Sequence, residues 1–269
     1  MSGYKNFAIV GAGTLGNFVI RQFLKEKAAG AVNEVIVLTR QVSSNDSSNW
    51  HARRVPIDRL FCGQGSKTTV EGDAKVTRVD YSNPESIKSA LSGVDVVIST
   101  ISGEALDVQG KIAEAAKEVG VKLFIPSDFG NITEGETEGM FGAKAGIQTQ
   151  LKRLGVPYAV FYTGPFADFI WEPCVCRHLF LHSYVEVKTT DQRFLDLDVK
   201  SGKVEVAGDG NKGISFTSRT DIARYLSYVL TRLPPDQLKN RSFAIEGDHK
   251  VRPNFGILHY NQQCVTGAF

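Results

Sequence analysis

Cysteine is scarce in this chain, with four in 269 residues, at Cys62, Cys174, Cys176 and Cys264. So few, so scattered, exclude a disulfide-built scaffold and point to a reducing, cytoplasmic setting. Long apolar runs are missing too. No stretch reaches the roughly 18 apolar residues of a membrane span. The first residues lead straight into a strand pattern, without the apolar core of a secretory signal. Charge of one sign is not in excess, because 31 basic against 29 acidic residues leave a formal +2. That balance makes no case for nucleic acid as a direct partner. Internal repeats and long low-complexity segments are absent. What remains is globular: 42% of residues are hydrophobic and 22% charged, which excludes wholesale disorder. The length suits one large α/β domain, or one with a small second lobe.

Phe7 to Val10 is a short apolar run, read as a buried strand. Gly11-Ala-Gly13-Thr14-Leu15-Gly16 follows at once, and Leu15, Val19 and Phe23 then recur at helical spacing. A Gly-x-Gly-x-x-Gly between strand and helix is the frame of a dinucleotide site. Gly11 makes the tight turn, Gly13 lets a pyrophosphate approach the backbone, and Gly16 lets helix and strand pack closely. The phosphates then face the positive helix end, at Thr14 and Leu15. The second strand, Glu34 to Thr39, runs into Arg40, where an NAD site expects an acid. A guanidinium suits a 2′-phosphate, which favours NADP(H). The other reading of Arg40 is a solvated residue at a strand end.

The alternation continues. Strands are predicted at 75–79, 95–99, 121–125 and 158–162. A helix capped by Asn83 with Pro84 at its first position follows the third strand. Helices follow at 106–119, with Gly120 as C-cap, and at 143–154. Such alternation means a Rossmann-type, doubly wound parallel sheet, here over residues 1–163. Beyond Gly164 the pattern changes to short strands at 203–207 and 214–217 around a glycine-rich, hairpin-type turn, then a helix at 220–233 stopped by Pro234 and Pro235. Residues 164–269 are therefore expected to form a smaller, mixed substrate lobe, interleaved with the core.

Ligands of open α/β sheets bind off the C-terminal strand edge. Ser99, Thr100 and Ile101 end the fourth strand there, and Ser127 and Asp128 follow the fifth. They are read as cofactor and pocket lining. Phe129, Tyr162, Phe166 and Phe169 are candidate substrate contacts, with core packing as the alternative. Two other patterns lead nowhere. Tyr184 and Lys188 have the Tyr-x-x-x-Lys spacing of a dehydrogenase pair. Their segment alternates like a strand, which separates them by about 13 Å. Cys174, Cys176, His178 and His182 do not offer four well-placed ligands, so no metal site is expected. No nucleophile elbow supports hydrolysis.

Several blocks resemble the NmrA-like and isoflavone-reductase-like family of atypical short-chain dehydrogenases, especially its fungal members. They are Val10 to Gly16, Val79 to Ser86 with Asp95 to Ser99, Ile125-Pro-Ser-Asp-Phe-Gly130, and Lys144 leading into Val156-Pro-Tyr158. Thr220 to Tyr225 and Phe243 to Asp248 extend the match. The resemblance implies an NADPH-binding domain with a cleft against a small C-terminal lobe, and Asp80 and Tyr81 beside the cofactor. Reductases of this family use a lysine at the position of Lys144 as general acid/base, on aromatic or phenolic substrates. Other members bind the dinucleotide without turnover, and act as regulators through a protein partner. Under the first reading the chain is an NADPH-dependent oxidoreductase with a small-molecule substrate. Under the second it is a dinucleotide sensor, for which a nuclear location is also open. A homodimer is open under both. The segment 41–72 is longer than the family's usual loop, and the tail 252–269 is short and has no clear helical period.

At about 100° per residue, Lys144 lies about 50° from the centre of the stripe Ile147, Leu151, Leu154, while Lys152 and Arg153 lie about 130° away. Lys144 is therefore expected to point inward, where desolvation lowers an amine's pKa into a useful range. The alternative is a structural or phosphate-facing lysine.

Overall fold

The computed structural model describes residues 3–40, 74–101, 105–168, 197–198, 203–204 and 213–251. In chain order the strands and helices begin with β1 (Asn6–Val10), α1 (Gly16–Ala28), β2 (Glu34–Arg40), β3 (Lys75–Val79), α2 (Pro84–Leu91) and β4 (Val96–Ser99). Then come α3 (Val108–Glu118), β5 (Leu123–Ile125), α4 (Gly139–Leu154) and β6 (Ala159–Tyr162). Last are β7 (Leu197–Asp198), β8 (Lys203–Val204), β9 (Gly213–Phe216), α5 (Arg219–Arg232), β10 (Arg241–Ala244) and β11 (Asp248–Val251).

Two compact units result. The first comprises Met1–Thr163 together with Arg219–Ile245. Its parallel sheet has the order β3-β2-β1-β4-β5. Past β5, the Phe124 N–H donates to the Pro157 carbonyl at 2.8 Å, and β6 pairs in parallel with β10 from Ala159↔Arg241 to Tyr162↔Ala244. The order reverses between β1 and β4, the place where such sheets bind ligands. Phe7, Ala8, Ile9 and Val10 are all buried, because helices cover both faces of the sheet. On one face Ala8, Val10, Ile36 and Phe124 share a core with Ile87 and Leu91 of α2, Ile112 and Ala116 of α3, and Leu151 of α4. On the other, Phe7 packs on Phe23 of α1, ring centroids 4.7 Å apart.

Local chemistry sets the helix ends. Asn83 accepts from the Glu85 N–H at 3.0 Å, with Pro84 in the first turn of α2, and α4 closes on Gly155 in a left-handed conformation. The predicted start of α4 at 143 moves forward to Gly139. Gly139, Gly142 and Gly146 lower the propensity of this half of the helix, and tertiary packing overrides that weak signal. The predicted start of α3 at 106 moves back to Val108, and its C-cap is Val119, with Gly120 one residue beyond.

The helix predicted within the second lobe belongs to the first unit. Its buried stripe of Ile222, Ala223, Leu226, Val229 and Leu230 lies in the unit that holds α1, and Arg232 reaches Glu26 of α1 at 3.5 Å. A second link is Arg219, whose guanidinium lies 4.8 Å from the ring centroid of Phe18.

The second unit comprises Gly164–Ser218 and Glu246–Phe269. The turn expected between 203–207 and 214–217 lies outside the described residues, and among the described residues β8 and β9 are not paired with each other. Instead β8 pairs antiparallel with β7, and β9 with β11, from Phe216↔Asp248 to Gly213↔Val251. Such short strands carry too little alternation to choose partners, so the partner came from tertiary placement and not from the nearest turn. Segment 41–72, the Tyr184/Lys188 and Cys174–His182 patterns, Phe169 and the tail 252–269 lie outside the described residues.

Candidate functional site

The turn after β1 is built by close approach. Gly11 has φ +93°, and its N–H donates to the Leu38 carbonyl at 3.2 Å. A Cβ on Gly16 would stand 2.2 Å from the Gly11 carbonyl oxygen and 2.6 Å from Thr100 Oγ1. The Thr100 hydroxyl in turn donates to the carbonyls of Val10 and Gly11, at 3.0 and 2.9 Å. Thr100 thus ties the end of β4 to the turn across the switch point. Gly13 differs, since a Cβ there would meet nothing within 4 Å. Helix α1 has Leu15 at its N-cap, with no side-chain cap and no acid in its first turn. The N–H groups of Asn17 and Phe18 turn back on the Gly13 and Leu15 carbonyls at 3.1 and 3.0 Å, so the donors left for a ligand at the positive helix end are those of the turn just before them. An uncapped helix start behind an open glycine is the cradle a pyrophosphate needs, so the residues present fit a dinucleotide.

The other candidates fall into groups. Arg40 is exposed at the end of β2, and its charge acts on Tyr81 at the end of β3. Burial pushes the Tyr81 hydroxyl up to about 12, with Arg40 opposing that rise. Asp80 accepts from the Ser82 N–H and hydroxyl at 2.9 and 2.6 Å, which holds its carboxyl below the usual range. Its carboxylate is engaged in the turn before α2. Ser99 is fully buried, and its hydroxyl has no hydrogen-bond partner among the described residues. Ile101 packs beside the core. Ser127 is buried, its N–H donating to Gln109 Oε1 at 2.8 Å.

Lys144 lies in the second turn of α4 and is half-buried, while Lys152 and Arg153 are exposed. Among the described residues its ammonium has no hydrogen-bond or ion-pair partner. A Cβ on Gly130 would sit 3.9 Å from its Nζ. Burial pulls the Lys144 pKa below its ordinary value, and the charge of Asp128 opposes this. Asp128 and Tyr162, read from sequence as pocket lining and substrate contact, belong to a buried polar cluster whose other members, Thr133 and Gln148, the sequence analysis did not single out. The Thr133 hydroxyl contacts both Asp128 oxygens at 2.9 Å. Gln148 Nε2 donates to Asp128 Oδ2, to Thr133 Oγ1 at 3.0 Å and to the Tyr162 hydroxyl at 3.3 Å. One signal was available, because Gln148 follows Lys144 by four residues and so shares its helix face.

The described aromatic candidates belong to both units. Phe129 is buried and stacks on Phe161, centroids 6.5 Å apart. Tyr162 is buried and holds the Gln148 contact. Phe166 belongs to the second unit, where it bridges Thr217.

The sheet order, the glycine turn and the uncapped helix define a Rossmann-type unit of the kind that takes a nucleotide at its switch point. A sequence model described as the NmrA-like family matches residues 4–238, and the chain belongs to that family. An isoflavone reductase homolog of Nicotiana tabacum is 30% identical over 189 residues, covering 68% of this chain and 53% of its own. Eugenol synthase 1 of Petunia hybrida is 31% identical over 228 residues, covering 82% and 62%. The chain thus spans about half the length of the first of these relatives. Among solved structures, AtPrR2 with NADP+ and (+)-pinoresinol superposes with a TM-score of 0.65 at 22% identity, over 97% of this chain and 76% of that one. Leucoanthocyanidin reductase with NADPH, from Vitis vinifera, gives 0.63 at 18%, over 96% and 74%. Both share the fold. No helix among the described residues is long and apolar enough to cross a membrane.

Proposed function

We propose that this chain is an NADPH-dependent reductase of small aromatic or phenolic molecules, with Lys144 as the proton donor. The observation that carries the reading is Lys144 itself, half-buried, without a partner among the described residues, in the same unit as the open glycine turn. A lysine kept for structure would be paired or solvated. One kept for proton transfer needs a lowered pKa and free N–H bonds. The names of the relatives support the substrate class, and Arg40 supports the phosphorylated cofactor. Scarce cysteine supports a cytoplasmic setting.

Gly11, Gly13 and Gly16 with the N–H groups of their turn would hold the pyrophosphate, and Arg40 the 2′-phosphate. NADPH, when bound, supplies a hydride. The substrate that takes the hydride gains negative charge, and the Lys144 ammonium neutralises it by giving up one proton. The amine left behind recovers a proton from solvent. Because an acid must be protonated to act, the reductive rate falls as pH rises through the depressed pKa of Lys144.

The test is a titration of NADPH against NADH by fluorescence, followed by a screen of phenolic and quinonoid compounds monitored by NADPH absorbance. Lys144→Ala should cut turnover by about 10²–10⁴-fold with NADPH affinity within a few-fold of wild type. Lys144→Arg should fail as well, since a guanidinium does not give up its proton at working pH. Tight NADPH binding with no turnover across the screen, or normal turnover by Lys144→Ala, overturns the reading.

A further inference from the structure

We propose that Asp128, clamped by Thr133 and Gln148, is the positioning carboxylate that sets the protonation of Lys144. The proposal rests on the reading of Lys144 given above and adds to it a residue that touches neither cofactor nor substrate.

Asp128 is 1% exposed. A carboxylate that deep is costly unless its oxygens are satisfied and a counter-charge is near. Its oxygens are satisfied by neutral groups alone, the Thr133 hydroxyl and the Gln148 amide. Among the described residues no cation touches it, the one charged group acting on it is Lys144, and Asp128 is the one charged group acting on Lys144. The remaining titratable group at the cluster is Tyr162 from β6, whose hydroxyl accepts from Gln148.

This arrangement separates two jobs. A direct ion pair would occupy the ammonium and make its proton hard to give up. A carboxylate held back by its own donors lends its charge without taking the proton. Burial drives Lys144 toward the neutral amine and Asp128 toward the neutral acid, and each charge opposes the other's neutralisation. Burial leaves the Asp128 carboxyl above its ordinary value, and the hydrogen bonds from Thr133 and Gln148 oppose that rise because they favour the charged form. Lys144 and Gln148 sit one helical turn apart on α4, so the proton donor and the clamp are fixed to the same rigid face.

The experiment reads Lys144 directly and needs no substrate. Lysines are labelled with carbon-13 at Cε, and the Lys144 signal is identified by its loss in Lys144→Arg. Its titration is followed in wild type, Asp128→Asn and Thr133→Val, with circular dichroism as the check of folding. Removing the carboxylate should raise the acid dissociation constant of Lys144 about tenfold. Thr133→Val should move it the same way by less, because the carboxylate then ionises less readily. A folded Asp128→Asn whose Lys144 titrates as in wild type overturns the proposal, even if its melting temperature has dropped. Should Asp128→Asn not fold, Thr133→Val decides, and an unmoved titration there overturns it too. Absence of turnover in the screen defeats the reductase reading but leaves this titration intact, so the two failures are distinguishable.

Discussion

Gly13 and Gly16 stand three residues apart in one motif, yet the structure assigns them opposite sensitivities. At Gly16 a Cβ would stand 2.2 Å from the Gly11 carbonyl oxygen. That oxygen belongs to the backbone of a turn pinned by Thr100 and Leu38, so it cannot swing away like the end of a flexible side chain. Gly16→Ala must therefore push α1 off the turn. Overpacking of this kind costs about 1–3 kcal/mol, and for a chain of this size each kcal/mol lowers Tm by about 2–4 °C. At Gly13 a Cβ meets nothing within 4 Å, and its φ is not left-handed. Gly13→Ala should thus fold at least as well as wild type, gaining about 0.4–1 kcal/mol from a stiffer unfolded chain. Binding runs the other way. The open space at Gly13 is where a pyrophosphate would lie, so Gly13→Val should lose at least about tenfold in NADPH affinity with its fold intact, because it blocks that approach. Thermal unfolding by circular dichroism and NADPH fluorescence titration separate the two effects. A Gly16→Ala protein as stable as wild type would refute the packing argument. A Gly13→Val protein with wild-type affinity would show that the turn is not the cofactor site.

Arg40→Ala should weaken NADPH by about ten- to a hundred-fold, the worth of a charged hydrogen-bonded contact of about 1.5–3 kcal/mol, and leave NADH nearly unchanged; equal wild-type affinities for the two cofactors would remove the basis for this. Asp95 accepts from the backbone N–H groups of Lys5 and Asn6 at 2.8 and 2.9 Å and pairs with Lys122 at 2.6 Å. Burial tends to raise its pKa, but the Lys122 contact and the two N–H donors outweigh that and hold it below the ordinary value. A depressed carboxyl contributes stability above its unfolded pKa and loses it as pH falls through the folded one. Asp95→Asn should therefore destabilise the protein by about 2–3 kcal/mol at neutral pH, with the gap from wild type closing in acid. Urea unfolding at neutral and acid pH checks this, and a pH-independent gap would contradict it.

Period and punctuation made the sheet legible from sequence. Short strand-like runs alternating with helical stripes, caps and glycines are local features, and β1 to β6 with α1 to α4 fall within a few residues of where those features put them. The glycine turn was readable for the same reason, since all of its chemistry lies within six consecutive residues. Lys144 pointed inward by helical phase alone. The partners of the short strands β8 and β9 were not legible, because two to four residues hold too little pattern to choose between neighbours. Interleaving of the second lobe with the core was expected, but that α5 is an element that returns to the first unit was not legible. An amphipathic stripe says that a face is buried, but not against what. The cluster around Asp128 is the clearest case. Asp128 follows β5, Thr133 sits in a loop, Gln148 is on α4 and Tyr162 ends β6. Each is an ordinary polar residue in its own segment. Only tertiary packing brings them within 3.3 Å of a shared amide, out of water, where a carboxylate's charge is felt by the lysine above it.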